Sequence, residues 1–529
     1  MTASVTYSDA DDTSSPARRV APAAHRLVTG TAAGLVLVIG AAFATRAIGL
    51  VRGFELWLDE MLYARLGQSV SMGQIPNLPD GPFLLHPPGY FLLEGAVIDL
   101  FGISGNSMDL VLQLRWLNAV IGALSVGLAF LLVRKVSNPV AAWVIAVVLM
   151  VEPFVLRNNS RVFLETLGMA ALLGGFLIIV ASMDRPPTRF RSLRLLAAGL
   201  LLGYAVLTKD VYVLGAVAPV VVATLWRRTL SAGDALVILL AAAIPYIAYL
   251  AVLALNGLLG AWIWAKTNGL RRMTGIDQTT GFNQEGAPSL VGRLFDQLTQ
   301  FGSSYLLLAI GPVAGLVLCF SAVPGRRLVG ITAVLFGLFG VYSVAFGTLE
   351  EQYGYPVLCA GAVSSAVCAV ELVERKQQWR TPVILFSVAF VALTAATGLR
   401  TLVTTDNGFV QVRSWMQENL PTDARVSVSN STGEVAFEDN PRIGVWPSAP
   451  LMQENGANYI ITQELPTSLG YGYARPEMLE WLKANGDPIF SVTGPTNGAT
   501  VLWRVDDAIL ARGAADNVGF PSATFESER

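Results

Sequence analysis

Long apolar runs, separated by short polar segments, dominate the chain from about residue 27 to about residue 403. With a window of about 19 residues, stretches long enough to cross a bilayer as helices fall near 27–50, 112–133, 138–156, 163–182, 193–208, 211–226, 234–256, 303–321, 328–348, 354–373 and 381–402. A shorter run, 87–103, contains Glu94 and Asp99 and reads as an interfacial or re-entrant helix. Residues 404–510 have a different rhythm. Strand-like runs at 425–429, 458–462, 488–492 and 499–505 alternate with helical ones at 410–419 and 476–485, the pattern of a small α/β domain. Residues 1–26 and 511–529 read as disordered tails. The pattern predicts an α-helical polytopic membrane protein with about 11–13 transmembrane helices over 27–403 and a small C-terminal α/β domain.

Lys and Arg collect in loops that stay in the cytoplasm. Compact basic clusters occur at Arg18-Arg19, Arg134-Lys135, Arg185 to Arg194, Arg227-Arg228, Arg326-Arg327 and Arg375-Lys376. The alternate loops, 51–111, 157–162, 208–210, 257–302 and 349–354, are longer as a group and less basic. This places the N-terminus in the cytoplasm and the C-terminal domain outside a plasma membrane crossed many times. The first outer loop is 51–111, and 257–302 is a second long one.

Composition sharpens that picture. The chain is 53% hydrophobic and 14% charged, against about 25% charged in soluble domains, so lipid is the solvent for much of it. The net charge of −2 gives no footprint for nucleic acid. The three cysteines, Cys319, Cys359 and Cys368, lie in apolar runs, so neither a disulfide framework nor metal-ligand spacing is expected. Only two histidines occur, His25 and His86, which leaves no multi-histidine metal site or histidine triad.

Ionisable residues near a span are costly and therefore functional candidates. Here they gather on the outer side: Asp59-Glu60, Arg161 and Glu165, Lys209-Asp210, and Glu350-Glu351-Gln352-Tyr353. Each has a simpler reading when taken alone. The acidic pairs are solvated or cap a loop. Arg161 and Glu165 form an i,i+4 pair. Lys209 snorkels to the interface. Their convergence on one side favours a site. His86-Pro87-Pro88-Gly89-Tyr90 adds a rigid entry into a helix.

These residues together resemble the C-type-fold integral membrane glycosyltransferases, nearest the protein O-mannosyltransferase and lipid A aminoarabinose transferase branch. The run Leu56-Trp57-Leu58-Asp59-Glu60 followed by His86-Pro87-Pro88-Gly89-Tyr90 is similar to that family's first outer loop. Ser160-Arg161-Val162-Phe163-Leu164-Glu165 is similar to its Arg-then-acidic motif, and Leu207-Thr208-Lys209 to its Thr-Lys turn. Gln352-Tyr353-Gly354-Tyr355-Pro356 resembles its Arg-Tyr-x-x-Pro stretch, with Gln352 where arginine is usual. The likeness covers roughly residues 30–400.

The resemblance implies transfer of a sugar from a polyprenyl-phosphate-linked donor to a glycan, lipid or protein acceptor on the extracytoplasmic face, with inversion at the anomeric carbon. Asp59, then Glu60, would be the carboxylate base. Arg161, Lys209 and Arg271-Arg272 would balance charge on the leaving phosphate. Glu165 would orient Arg161 or Lys209, and His86 and Tyr353 would complete the substrate-binding set. The resemblance leaves a divalent metal cation open: Asp59, Glu165 and His86 offer ligands, but no spacing demands one. A transporter, a lipid-linked glycan flippase or a glycan ligase is the alternative, although charges at helix ends on one side and no internal repeat speak against the first. In the C-terminal domain, Trp446, Trp481, Tyr471 and Tyr473 are candidates to stack on sugar rings.

Overall fold

A computed structural model describes residues 30–184, 186, 188–227, 229–274, 276, 290–345, 351–470 and 472–519. Chain residues 1–26 and the Glu350 site lie outside these residues.

The first span is α1 (Thr31–Arg52). Gly53, at φ +80°, ends it and turns the chain into the first loop. That loop is largely helical. It contains α2 (Leu58–Ser71), a two-stranded ladder of β1 (Asn77–Leu78) and β2 (Gly81–Pro82), and α3 (Gly89–Phe101), which packs against α2. The run read as interfacial is therefore a 13-residue helix with Glu94 fully buried. Pro88 precedes its first turn, and Gly102 closes it at φ +62°.

The bundle continues with α4 (Ser107–Val136), whose N-cap Asn106 accepts the Asp109 amide, and α5 (Pro139–Val151). The stretch read as one span, 138–156, is a broken one. Pro153 removes a donor and starts α6 (Pro153–Asn159), inclined 65° to α5. The carbonyls freed at the end of α5 are taken up from α1. Arg46 Nη2 donates to Leu149 O (3.2 Å) and Thr45 Oγ1 to Met150 O (3.2 Å).

Next come α7 (Leu164–Met183), α8 (Arg189–Thr208), α9 (Ala232–Leu255) and α10 (Leu259–Met273). The expected span at 211–226 is a series of short helical turns between Asp210 and Leu225, interrupted where Pro219 follows Val217 and Ala218. α8 and α9 approach closely because Gly199 and Gly203 face backbone carbonyls of Ile238 and Ala242, where a Cβ would not fit. The bundle closes with α11 (Leu298–Leu318), α12 (Pro324–Ala345), α13 (Gly354–Arg375) and α14 (Arg380–Val403). Among the described residues nine helices are long and apolar enough to cross a membrane, ten if the bent pair counts as one span. The eleven expected from hydropathy differ by that break and by the short turns after Asp210.

The C-terminal region begins with α15 (Gly408–Asn419). A five-stranded sheet follows, in the order β4-β3-β5-β7-β6. Its strands are β3 (Val426–Val428), β4 (Ile443–Gly444), β5 (Tyr459–Gln463), β6 (Asp487–Gly494) and β7 (Gly498–Arg504). β3 pairs in parallel with β4 and β5, and β7 runs antiparallel to β5 and β6. The four strand-like runs and two helical runs of the tail correspond to β3, β5, β6, β7, α15 and the helix Pro476–Asn485. Order extends beyond residue 510. The helix Asp507–Ala515 lays Gly513 on the Trp481 ring, so 511–519 belongs to the fold rather than to a disordered tail.

This region is not a bead on a string. One hydrophobic core joins Tyr63, Leu66, Phe91 and Met108 of the first loop and α4 to Phe409, Val428, Phe437 and Leu502. At its edge Ser107 Oγ donates to Glu438 Oε1 (2.6 Å), and Arg65 pairs with the same carboxylate.

Candidate active site

Asp59 and Glu60 stand in the first turn of α2, where the helix dipole favours negative charge. Their surroundings differ. Glu60 is fully buried. It accepts from Arg115 Nε (3.0 Å) and Nη2 (2.8 Å), from Val162 N (2.9 Å) and from Trp57 N (3.2 Å). A carboxylate held by four donors is a scaffold element: it ties α2 to α4 and to the turn before α7. Asp59 is half-buried, and its Oδ2 accepts from Gln352 Nε2 (3.2 Å), in the short turn Glu351–Tyr353 ahead of α13.

Arg161 is fully buried and faces the same loop. Its guanidinium lies over the rings of Trp57 (5.6 Å), Phe54 (6.0 Å) and Phe163 (6.0 Å), and Nη2 donates to Glu55 O (3.2 Å). Asn118 reaches across from α4 to the carbonyls of Arg161 and Phe163, and accepts from the Tyr90 hydroxyl (2.8 Å). Arg161 thus grips the segment that delivers Asp59.

Glu165 pairs with Lys209 rather than with Arg161, and Tyr212 OH donates to the Glu165 carbonyl (2.6 Å). Lys209 Nζ lies 5.2 Å from the centre of the Tyr353 ring, next in chain to Gln352. Asp59, Gln352, Tyr353, Lys209 and Glu165 therefore form a continuous run of neighbours across four segments of the chain. The end of α8 is set against the Pro87-Pro88-Gly89 turn: Tyr204 OH donates to Gly89 O (2.7 Å), and a Cβ at position 89 would meet Leu207 O at 2.7 Å.

Beyond Lys209 lies a second pair. Lys266, on α10, donates to Asp210 Oδ2 (2.5 Å) and to Leu85 O (2.7 Å), while Tyr246 OH donates to Asp210 Oδ1 (2.7 Å). His86 sits edge-on to Tyr63 (6.0 Å) and Phe83 (5.8 Å). Burial, then the charges of Lys209, Lys266 and Arg272, hold its imidazole well below the usual value, so it is neutral near pH 7. Three cations acting on one neutral imidazole favour an anion nearby. Arg271 and Arg272 are exposed in the last turn of α10.

Arg115 and Lys266 were missed in the sequence. Arg115 stands in a long apolar helix well ahead of the cations of its last turn, Arg134 and Lys135, a position that by itself marks a functional or structural pairing. Lys266 sits in an amphipathic stretch within the long outer loop 257–302. Among the described residues no group of three His, Cys, Asp or Glu side chains is placed to hold a metal ion. In the C-terminal domain Tyr473 is buried with its hydroxyl on Glu434 (2.8 Å), and Trp446 and Trp481 pack on the inner cluster around Met478. These rings fill a core; Tyr471 lies outside the described residues.

The family model for dolichyl-phosphate-mannose-protein mannosyltransferase matches residues 104–266, which include Arg115, Arg161, Glu165, Lys209, Asp210 and Lys266. No curated protein sequence matches. Among solved structures, ArnT from Cupriavidus metallidurans bound to undecaprenyl phosphate superposes with a TM-score of 0.52 at 14% identity, over 90% of this chain and 98% of that one. The apo oligosaccharyltransferase of Archaeoglobus fulgidus gives 0.54 at 13% identity, over 89% of this chain and 74% of that one. At such identities the likeness is one of architecture, and the architecture is clear: the chain has the fold of the C-type membrane glycosyltransferases.

Proposed function

We propose that this protein transfers a sugar from a polyprenyl-phosphate-linked donor to an acceptor hydroxyl or amine of a cell-envelope glycan, lipid or protein at the extracytoplasmic surface. The observation that supports this reading best is the placement of Asp59 beside Gln352 and Tyr353, one ring away from Lys209, with Lys266, Arg272 and neutral His86 beyond. A carboxylate and a cation cluster side by side are what the reaction needs. The acceptor O–H or N–H gives its proton to Asp59 as its heavy atom bonds to the anomeric carbon. The bond from that carbon to the phosphate oxygen breaks, and the electron pair leaves with the polyprenyl phosphate. Lys209, Lys266 and Arg272 balance the charge that develops there. Glu165 and Asp210 hold the two lysines in place and offset part of their charge before the donor arrives. Glu60, Arg115 and Arg161 fix the loop that presents Asp59 and take no part in bond changes.

The reading is tested with full-length protein in proteoliposomes supplied with polyprenyl-phosphate-linked radiolabelled mannose or arabinose and envelope extract as acceptor. Label should move from the lipid to an acceptor in the wild type and not in Asp59→Asn. Movement of intact donor across the bilayer without formation of a glycosidic product would favour a flippase and sink the proposal.

A further inference from the structure

Residues 53–57 are the short connection from α1 to α2, and they set where Asp59 lies. They form no regular structure and are gripped from two sides. On the bundle side Arg115 Nη1 donates to Phe54 O (2.8 Å), and the guanidinia of Arg115 and Arg161 both reach the Glu55 carbonyl (3.4 and 3.2 Å). On the other side stands the C-terminal domain. The Glu55 carboxylate, 2% exposed, accepts from Gly408 N (2.8 Å, Oε2) and Phe409 N (3.4 Å, Oε1), the first two residues of α15, and from its neighbour Leu56 N (2.9 Å). A carboxylate on free amides at a helix start is favourably placed.

Two glycines allow this approach. A Cβ at Gly53 would come within 2.7 Å of Asn407 Cβ, and one at Gly408 within 2.6 Å of Glu55 Oε2. The contact then runs into the sheet. Asp406, adjacent to Gly408 through Asn407, bonds the amide and hydroxyl of Thr496 in the turn between β6 and β7.

We infer that Glu55 is a positioning residue, a latch through which the C-terminal domain holds the Asp59 loop in its reactive register. The inference rests on the glycosyltransferase reading above. The charged groups facing Glu55 are Asp406 from the linker side and Arg115 and Arg161 at its carbonyl. Burial first, and then Asp406, push its carboxyl up to about 7 against the pull of the three amides. The latch therefore changes charge near neutrality.

The test uses the full chain in proteoliposomes. Sugar transfer from polyprenyl-phosphate-linked mannose or arabinose and hydrogen exchange over 53–60 and 406–411 are measured for Glu55→Ala, Glu55→Gln, Gly408→Val and the double variant Glu55→Ala/Gly408→Val. Glu55→Ala and Gly408→Val should each lower kcat about tenfold, with donor KM within about twofold, and Glu55→Gln, which keeps the neutral form's shape, should lower it less. Exchange should rise in both segments together. The double variant should be no worse than the poorer single, because both break one contact. Glu55→Gln should also remove an inflection near pH 7 from the kcat profile. The latch is overturned if Glu55→Ala and Glu55→Gln keep wild-type kcat, if exchange rises in 406–411 alone, or if the losses add fully. If the wild type transfers neither sugar, the activity assignment fails for those donors while the exchange experiment still decides the latch.

Discussion

Glu60 and Arg115, 55 positions apart in sequence, are joined by two parallel hydrogen bonds in a space from which water is excluded. That pair separates two adjacent acids into different roles. Removing one member of such a pair leaves an uncompensated buried charge, at a cost of about 3–5 kcal/mol. Arg115→Ala and Glu60→Gln are therefore expected to lower the thermal unfolding midpoint in detergent and the yield of folded protein. Asp59→Asn is expected to leave both unchanged and to lower transfer by about 10²–10⁴-fold. Equal destabilisation by Asp59→Asn and Glu60→Gln would erase the distinction.

Gln352 donates a neutral amide to Asp59. In Gln352→Arg, a guanidinium would stand there instead and favour the ionised carboxylate. A weaker base follows. The expected result is a kcat reduced about tenfold or more near pH 7, with the acid limb of the pH–rate profile displaced downward. A Gln352→Arg enzyme faster than the wild type would show that the position serves the phosphate rather than the base.

Lys209 and Lys266 each hold a carboxylate in place and face the region assigned to the donor's phosphate. Lys209→Ala and Lys266→Ala are expected to raise donor KM about tenfold and to leave acceptor KM within about twofold. Competition by free polyprenyl phosphate measures the same contacts without turnover, and unchanged inhibition in both variants would remove the lysines from the phosphate site.

The raised carboxyl of Glu55 has a consequence for stability. Its folded value, about 7, exceeds its unfolded one, so between the two the folded state binds more protons. Stability from this group is thus fully present below the unfolded value and is lost as pH rises through about 7. The range is on the order of 3 kcal/mol. Chemical unfolding of the C-terminal region across pH 5–8 should show that decline in the wild type, and Glu55→Gln should flatten it.

How much of this was legible in the sequence varies with the distance over which each feature is determined. The strands β3, β5, β6 and β7 follow from local alternation and β-branched residues, and the structure places them within a residue or two of that reading. β4 has two residues and exists only because β3 lies beside it, so no local signal marks it. The break at Pro153 was written in the chain, but hydropathy averages over it. At the site, Asp59, Glu165 and Lys209 stood out as charges at the ends of apolar runs. The sequence leaves their pairing open: Glu165 could orient Arg161, four positions away, or Lys209, and the structure pairs it with Lys209 while Arg161 turns to the rings of Phe54 and Trp57. Glu55 was invisible, since its partners lie 353 and 354 positions away.

That last separation bears on how the protein is made. At a synthesis rate of about 5–20 residues per second, α15 leaves the ribosome some tens of seconds after Glu55 has been handed to the membrane. During that interval the first loop has α2, α3 and their apolar surfaces, but not Phe409, Val428 or Leu502 to cover them. The nascent chain carries an uncovered greasy loop on one side of the bilayer while most of its helices are still being inserted. Truncation ahead of the last hundred or so residues would arrest it in that state. A premature stop near residue 404 should therefore leave a fully inserted bundle that quality-control proteases recognise at its opening loop, far in sequence from the missing end.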